Sequence, residues 1–361
     1  MSYTDRPAWL LPTPARRDEP QTDVGLRALL LRLMRGEHLR RVEAGALLDA
    51  LLDGTATDAQ IAAALVALAV KGETVEELAG MAAAMRARAV RLRARHTRFI
   101  DTAGTGSSAA KTFNVSTAAA FVVAGAGLPV AKHGSRAATS RSGSADVLAA
   151  LGVRVDAAPA VSEKCLNEIG ICFMFAPLYH SATARVASVR RELGVHTTFN
   201  LLGPLTNPAG APRQIIGVWH TALVEPLALT LAALGTERAW VVHGRDGLDE
   251  ITISDSTLVA EADGGRVRTL EVTPEDFELP RATLEELRGG DAEQNARIIR
   301  DVLAGTRRDA ARALVLANAA AALYVGGMAE ELPDAAQLAA RSIDEGRAQA
   351  KLEQLIKLTN S

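Results

Sequence analysis

Three short stretches of this chain concentrate residues suited to holding charge. The first, DTAGTGSSAAKTFNVST at residues 101–117, mixes two glycines, a lysine and several hydroxyl side chains, and an apolar run follows it directly. The second, KHGSRAATSRSGSAD at residues 132–146, sets Lys132, Arg136 and Arg141 among Ser135, Thr139, Ser140, Ser142 and Ser144. Each leads into a helix-like run, AAAFVVAGAG or ADVLAALG, and a helix start offers outward-facing backbone N–H groups to an anion. Either loop alone is equally compatible with an ordinary serine-rich helix cap; two together suit a ligand with two separated phosphates. The third stretch, HGRDGLDEITIS, places Asp249 and Glu250 side by side. Beside phosphate loops, such a pair suits Mg²⁺, which takes one or two carboxylates together with substrate phosphates.

Two familiar glycine-loop designs fit the first stretch poorly. GTGSSA from Gly104 satisfies the dinucleotide pattern, but the acid expected about 20 residues later is missing and the next strand ends in Lys132. A Walker loop would need glycines where Thr105 and Ala110 stand.

The elements that must position these residues are of two kinds. From 24 to 95 the apolar spacing is helical throughout, as at Leu26, Leu29, Leu30, Leu33 and Met34. Thr57 with Gln60, and Thr74 with Glu77, have capping-box spacing. Four short helices with short links predict a small helical domain. Beyond about residue 96, RFIDTAG, LPVAKHG, RQIIGVWH and RAWVVHG read as buried strands alternating with helices. RQIIGVWH, TALVEPLALTLAALG and RAWVVHG form a strand–helix–strand unit, for which parallel pairing is the default. The expected fold class is α/β: a small N-terminal helical domain plus a larger domain with a mostly parallel sheet flanked by helices. Ligands of such sheets gather at the carboxyl ends of the strands, here the three stretches above. The last 80 residues return to helices. The expected division is a mobile extension at 1–23, a helical domain at 24–95 joined by helices from about 163–198, and an α/β domain at 96–361.

Composition narrows the partners. A net charge of −2 gives no bulk attraction to nucleic acid or membrane. No run of about 18 charge-free apolar residues appears, which argues against a membrane span. The proline-rich start lacks the layout of a signal peptide, and Cys165 and Cys172 fit neither a zinc pair nor a disulfide framework, so a cytoplasmic protein with buried free thiols is expected.

DTAGTG…TFNVST, AKHGSRAATSRSGSAD, VRRELGVHTTFNLLGPLTNPA and GRDGLDEI, in this order, closely resemble anthranilate phosphoribosyltransferase, an enzyme family of tryptophan biosynthesis, over roughly residues 24–357. The resemblance implies transfer of the 5-phosphoribosyl group from 5-phosphoribosyl 1-diphosphate to the amino group of anthranilate, with Mg²⁺, in a homodimer formed through the helical domain. It implies that Gly104, Ser107, Ser108, Thr112, Asn114, Val115, Ser116 and Thr117 contact the donor. Lys132, His133, Gly134, Ser135, Arg136, Ala137, Ala138, Thr139, Ser140 and Ser144 would form the second donor loop. Gly104, Ser135 and Arg190 would meet anthranilate, Arg190 through its carboxylate, and Ser116, Asp249 and Glu250 would hold the metal. NLLGPLTNP resembles a hinge where helical elements rejoin the sheet. His133 is a candidate general base and equally a candidate structural histidine.

Four positions depart from the family pattern. Ser107 and Ser108 stand where Gly-Asp is usual, Ser135 where Asn is usual, and Ser181 where Pro is usual. The first two imply a weaker hold on the donor; Ser135 bears on the choice of acceptor. Another aminobenzoate as acceptor, a pyrimidine nucleoside phosphorylase of the same fold, and a non-catalytic nucleic-acid-binding relative are the competing readings. The last should carry a basic excess and lack the acidic pair.

Overall fold

The computed structural model describes residues 25–106, 112–137 and 142–361. The chain divides into two units. The helical unit holds residues 25–88 and Ala182–Leu202; the α/β unit holds Ala89–Ser181 and Gly203–Ser361. The expected extension at 1–23 lies outside the described residues.

In the helical unit, α1 (Leu26–Met34), α2 (Arg41–Leu52), α3 (Asp58–Lys71) and α4 (Val75–Arg88) follow one another. α2 packs on α4 and α1 on α3. Both expected capping boxes form: Gln60 N–H donates to Thr57 Oγ1 at 3.2 Å, and Glu77 N–H to Thr74 Oγ1 at 3.2 Å. Glu77 is fully buried and also accepts from Leu39 N–H (2.8 Å) and Lys71 Nζ (2.7 Å), a burial that pairing and hydrogen bonding make tolerable.

Among the described residues the α/β unit is built on seven strands: β1 (Ile100–Gly104), β2 (Val130–Gly134), β3 (Ile171–Phe175), β4 (Arg213–Gly217), β5 (Arg238–Gly244), β6 (Thr257–Asp263) and β7 (Arg266–Val272). Their order is β3-β2-β1-β4-β5-β6-β7. The first five are parallel and the last two antiparallel, as the mostly parallel expectation requires. β1, β2 and β4 start level, with Ile100 opposite both Val130 and Arg213, and Gly104 lies opposite Gly217. The loops that follow therefore leave the sheet along one edge.

The connecting helices are α5 (Val115–Gly125), α6 (Ser144–Ala150), α7 (Pro159–Ile169), α8 (Ala176–Tyr179), α9 (Ala184–Leu193), α10 (Thr198–Leu205) and α11 (Val224–Ala233). After the sheet come α12 (Ala292–Leu303), α13 (Ala310–Val325), α14 (Leu332–Asp344) and α15 (Arg347–Thr359). α5 is buried almost throughout and packs on α13, α14 and α15, and its alanines allow close approach.

The boundaries differ from the sequence expectation in two places. The helical unit ends at Arg88 rather than 95, because Val90 and Leu92 donate their N–H groups to Tyr179 O and Pro208 O of the α/β unit. The segment that returns to the helical unit is Ala182–Leu202 rather than 163–198. Residues 163–181 belong with the sheet, since α7 packs on β3 and β3 pairs with β2. α9 packs on α2 and α3, and α10, which overlaps NLLGPLTNP, carries the chain back into the α/β unit.

Candidate active site

The edge of the sheet brings together most of the residues singled out above. Lys132, near the end of β2, is 4% exposed. Its ammonium donates to Thr102 O and lies 3.3 Å from Ser116 Oγ. Burial lowers its pKa, while Asp101 and Glu250 act in the opposite direction. Asp101 is fully buried, and burial raises it to about 6. It accepts from Asn207 Nδ2 at 2.7 Å and His133 N–H at 3.1 Å. Lys132 thus ties β1 and β2 to the first turn of α5.

That first turn does not stand open as expected. The Ser116 N–H and hydroxyl both engage Glu250, so its carboxyl group occupies the start of α5. Burial first, and then the adjacent Asp249, raise Glu250 to about 8; Lys132 and Ser116 pull it down. The acidic loop is pinned on both sides. Ile251 N–H donates to Asn318 Oδ1 at 3.0 Å, and Asn318 Nδ2 returns a bond to Ile251 O at 2.9 Å. On the other side Asp249 O crosses so close to Gly217 that a Cβ built there would lie 1.6 Å from it. Only glycine permits this approach.

Ser116, Asp249 and Glu250 are oxygen-bearing side chains, the chemistry that a hard divalent cation takes. Among the described residues no cluster of three or more His, Cys, Asp or Glu completes a protein-only metal cage.

Of the first loop, Gly104, Thr112, Asn114, Val115, Ser116 and Thr117 lie between the end of β1 and the start of α5. Thr105 N–H binds Gly217 O at 2.9 Å. Ser107 and Ser108 lie outside the described residues, as do Ala138, Thr139 and Ser140 of the second loop. The rest of that loop is held by Asp146, which accepts from Ala137 N–H (2.9 Å) and Gly143 N–H (3.0 Å) and pairs with Arg136 at 3.0 Å. Ser144 Oγ donates to Ser135 O at 3.4 Å. Gly134 ends β2, with His133 just before it.

His133 is 6% exposed, with its ring centroid 5.1 Å from that of His180. Burial, and then His180, lower its pKa to about 3. It is a neutral imidazole at physiological pH and a weak base. Among the described residues its Nε2 has no hydrogen-bond partner.

Arg190 belongs to the helical unit, near the end of α9. It is half-buried, with its guanidinium 5.2 Å from the Phe199 ring centroid, and burial lowers its pKa. Sequence reasoning did not find Asp101, Asp146, Asn207, Gly217 or Asn318. Asp146 carried a local signal, its capping-box spacing from Gly143; the others act through partners remote in the chain.

Comparison with known proteins adds the family. Residues 27–89 match the helical bundle domain of the glycosyl transferase family, and residues 96–349 match its a/b domain. The anthranilate phosphoribosyltransferase of Moorella thermoacetica is 52% identical over 336 residues, 93% of this chain and 99% of the relative. That of Anaeromyxobacter dehalogenans is 55% identical over 333 residues, 91% and 97% of the two chains. The crystal structure of the Thermus thermophilus enzyme superimposes with a TM-score of 0.87 at 40% identity, covering 92% of this chain and 99% of that one. The Saccharomyces cerevisiae enzyme in complex with PRPP and Mg superimposes with a TM-score of 0.84 at 27% identity, covering 93% and 98%. With both domains matched and more than half the residues shared with such relatives along nearly their whole length, this chain belongs to the anthranilate phosphoribosyltransferase family.

Proposed function

We propose that this enzyme transfers the 5-phosphoribosyl group of 5-phosphoribosyl 1-diphosphate to the amino group of anthranilate, releasing diphosphate, as a step of tryptophan biosynthesis. The observation that carries the reading is the meeting of the two hydroxyl-rich loops with the Asp249–Glu250 pair along one sheet edge. The aromatic amine of anthranilate is neutral at pH 7 and needs no strong base to attack. A His133 imidazole with its pKa near 3 suits that chemistry as a neutral lining group rather than as the general base considered above.

The protein's work is then alignment and charge. The loops from Gly104 and from Lys132 hold the donor, and Arg190 grips the anthranilate carboxylate through two parallel donors. Ser116, Asp249 and Glu250 would hold Mg²⁺, and the ion would supply positive charge to the diphosphate.

The proposal includes a homodimer through the helical unit. Val66 (42% exposed) and Val70 (84%) lie on α3, which carries no charge between Gln60 and Lys71, and Met34 of α1 is 49% exposed. An apolar face of this kind suits a second copy. It also includes a cytoplasmic setting, with which the free buried Cys165 and Cys172 agree. Among the described residues no helix is long and apolar enough to cross a membrane.

The test is loss of anthranilate fluorescence on addition of 5-phosphoribosyl 1-diphosphate and Mg²⁺, repeated with 4-aminobenzoate. Turnover of anthranilate alone supports the reading. Turnover of 4-aminobenzoate alone would give Ser135 a specificity role and overturn the assigned acceptor.

A further inference from the structure

The segment RGGDAEQN, residues 288–295, carries none of the roles assigned so far, yet it lies against the first donor loop and, through Asn114, is linked to the second. Arg288 forms an isolated antiparallel bridge with Thr112. At Gly289 a Cβ would lie 2.5 Å from both Phe113 N and Thr112 O, so the two backbones touch. Asp291 then caps α12, accepting from Gln294 N–H at 2.8 Å. One turn later stands Asn295, 2% exposed.

Two main-chain groups orient the amides here. Gly290 N–H can only donate, and it meets Asn295 Oδ1 at 2.7 Å. Asn295 Nδ2 therefore faces Asn114, donating to its Oδ1 at 3.0 Å. Ser142 O can only accept, and it takes Asn114 Nδ2 at 3.1 Å. The Ser142 hydroxyl closes the set by donating to Asn114 Oδ1 at 3.1 Å. The chain of bonds runs from α12 to the first donor loop at Asn114 and on to the second at Ser142.

We infer that Asn295 is a positioning residue for the donor: through Asn114 it fixes the first phosphate loop against the second. The inference rests on the proposed use of these loops to hold 5-phosphoribosyl 1-diphosphate. A ligand with a phosphate at each end is sensitive to the distance between its two grips, and a bond linking them sets that distance before binding.

Asn295→Asp is the selective change. It keeps an acceptor for Gly290 N–H and turns the donor facing Asn114 Oδ1 into a second acceptor, so oxygen meets oxygen. We expect the KM and the directly measured Kd for 5-phosphoribosyl 1-diphosphate with Mg²⁺ to rise about tenfold, while the KM for anthranilate stays within about twofold. General loosening of the fold would move both substrates together, and that result would overturn the inference. Asn114→Ala is the companion. If it weakens donor binding and Asn295→Asp does not, the latch is wrong and the loop assignment stands. If Asn114→Ala leaves donor binding unchanged, the loop assignment itself fails. Should Asn295→Asp not fold, Ser142→Ala removes the other donor to Asn114 Oδ1; about threefold weaker donor binding is expected, and a wild-type value would overturn the inference.

Discussion

Gly217→Ala isolates how the sheet backbone places the acidic pair. Gly217 ends β4 without a positive φ, so alanine costs no backbone strain there and its effect is purely steric. The added Cβ would lie 1.6 Å from Asp249 O, whereas real Cβ atoms essentially never come nearer than 3.0 Å, so the acidic loop must retreat by at least about 1.4 Å. A shift of about 1 Å in a positioned group costs on the order of 10²-fold in rate. Forced overpacking of this kind destabilises by about 1–3 kcal/mol. The variant should therefore fold with a lowered Tm, need more Mg²⁺ for half-maximal rate, and lose about 10²-fold in kcat. Initial rates against Mg²⁺ at saturating substrates, with a thermal melt, measure all three. Gly104→Ala is the control on the neighbouring strand. Its Cβ meets nothing nearer than Gly217 O at 3.5 Å, so the fold should be untouched and any rise in donor KM would come from the ligand itself. A folded Gly217→Ala enzyme with wild-type rate and wild-type Mg²⁺ dependence would refute this account of how the metal-binding acids are placed.

Three further outcomes are expected. Asp249→Asn with Glu250→Gln should abolish turnover and the tight binding of donor with Mg²⁺ while folding persists; activity retained in excess chelator would refute a metal role for the pair. Arg190→Ala should raise the KM for anthranilate steeply and leave donor binding unchanged, with Arg190→Lys only a partial rescue because one ammonium cannot present two parallel donors; equal loss for both substrates would contradict the assignment. Acid should destabilise the fold through His133: the unfolded chain takes up its proton near the usual 6.5 and the folded protein only near 3. Stability is therefore full above about 6.5 and is lost as pH falls, by about 2 kcal/mol at pH 5. Asp101 and Glu250, whose pKa values are raised, act in the opposite sense in both proteins, so the check is a difference: between pH 7.5 and 5, chemical denaturation should show the wild type changing by about 2 kcal/mol less favourably than His133→Leu.

Local signals in the sequence carried the helical unit, the capping boxes at Thr57 and Thr74, and the strands that end in Gly104, Gly134 and Gly244. β3 was missed because ICFMF is a short apolar run directly after a helix, without alternation to mark it. The β6–β7 hairpin did carry a mark: the alternating runs on either side of Asp263, Gly264 and Gly265 form a turn signal that was passed over. Residue types gave the two loops and the acidic pair. What they could not give was pairing at a distance. Asp101 meets Asn207 across 106 residues and Asn114 meets Asn295 across 181, and no local pattern encodes either. The same limit explains why the start of α5 was read as open: Glu250, which fills it, lies far along the chain.

The division of the helical unit between two stretches of chain bears on how the protein is made. A ribosome that has released residues 25–88 has not yet made Ala182–Leu202, which completes the same unit. At about 5–20 residues per second, the interval lasts several seconds or more. Throughout it α2 and α3 lack the surface that α9 will cover, and Glu73, which accepts from Thr198 Oγ1 at 2.5 Å in the finished protein, has no such partner. The N-terminal helices are thus held back from completion until half the chain has emerged. During synthesis the sheet strands β1 to β3 appear before the first-made helices can finish packing, yet they wait longer still, because β4, their neighbour in the middle of the sheet, begins only at Arg213.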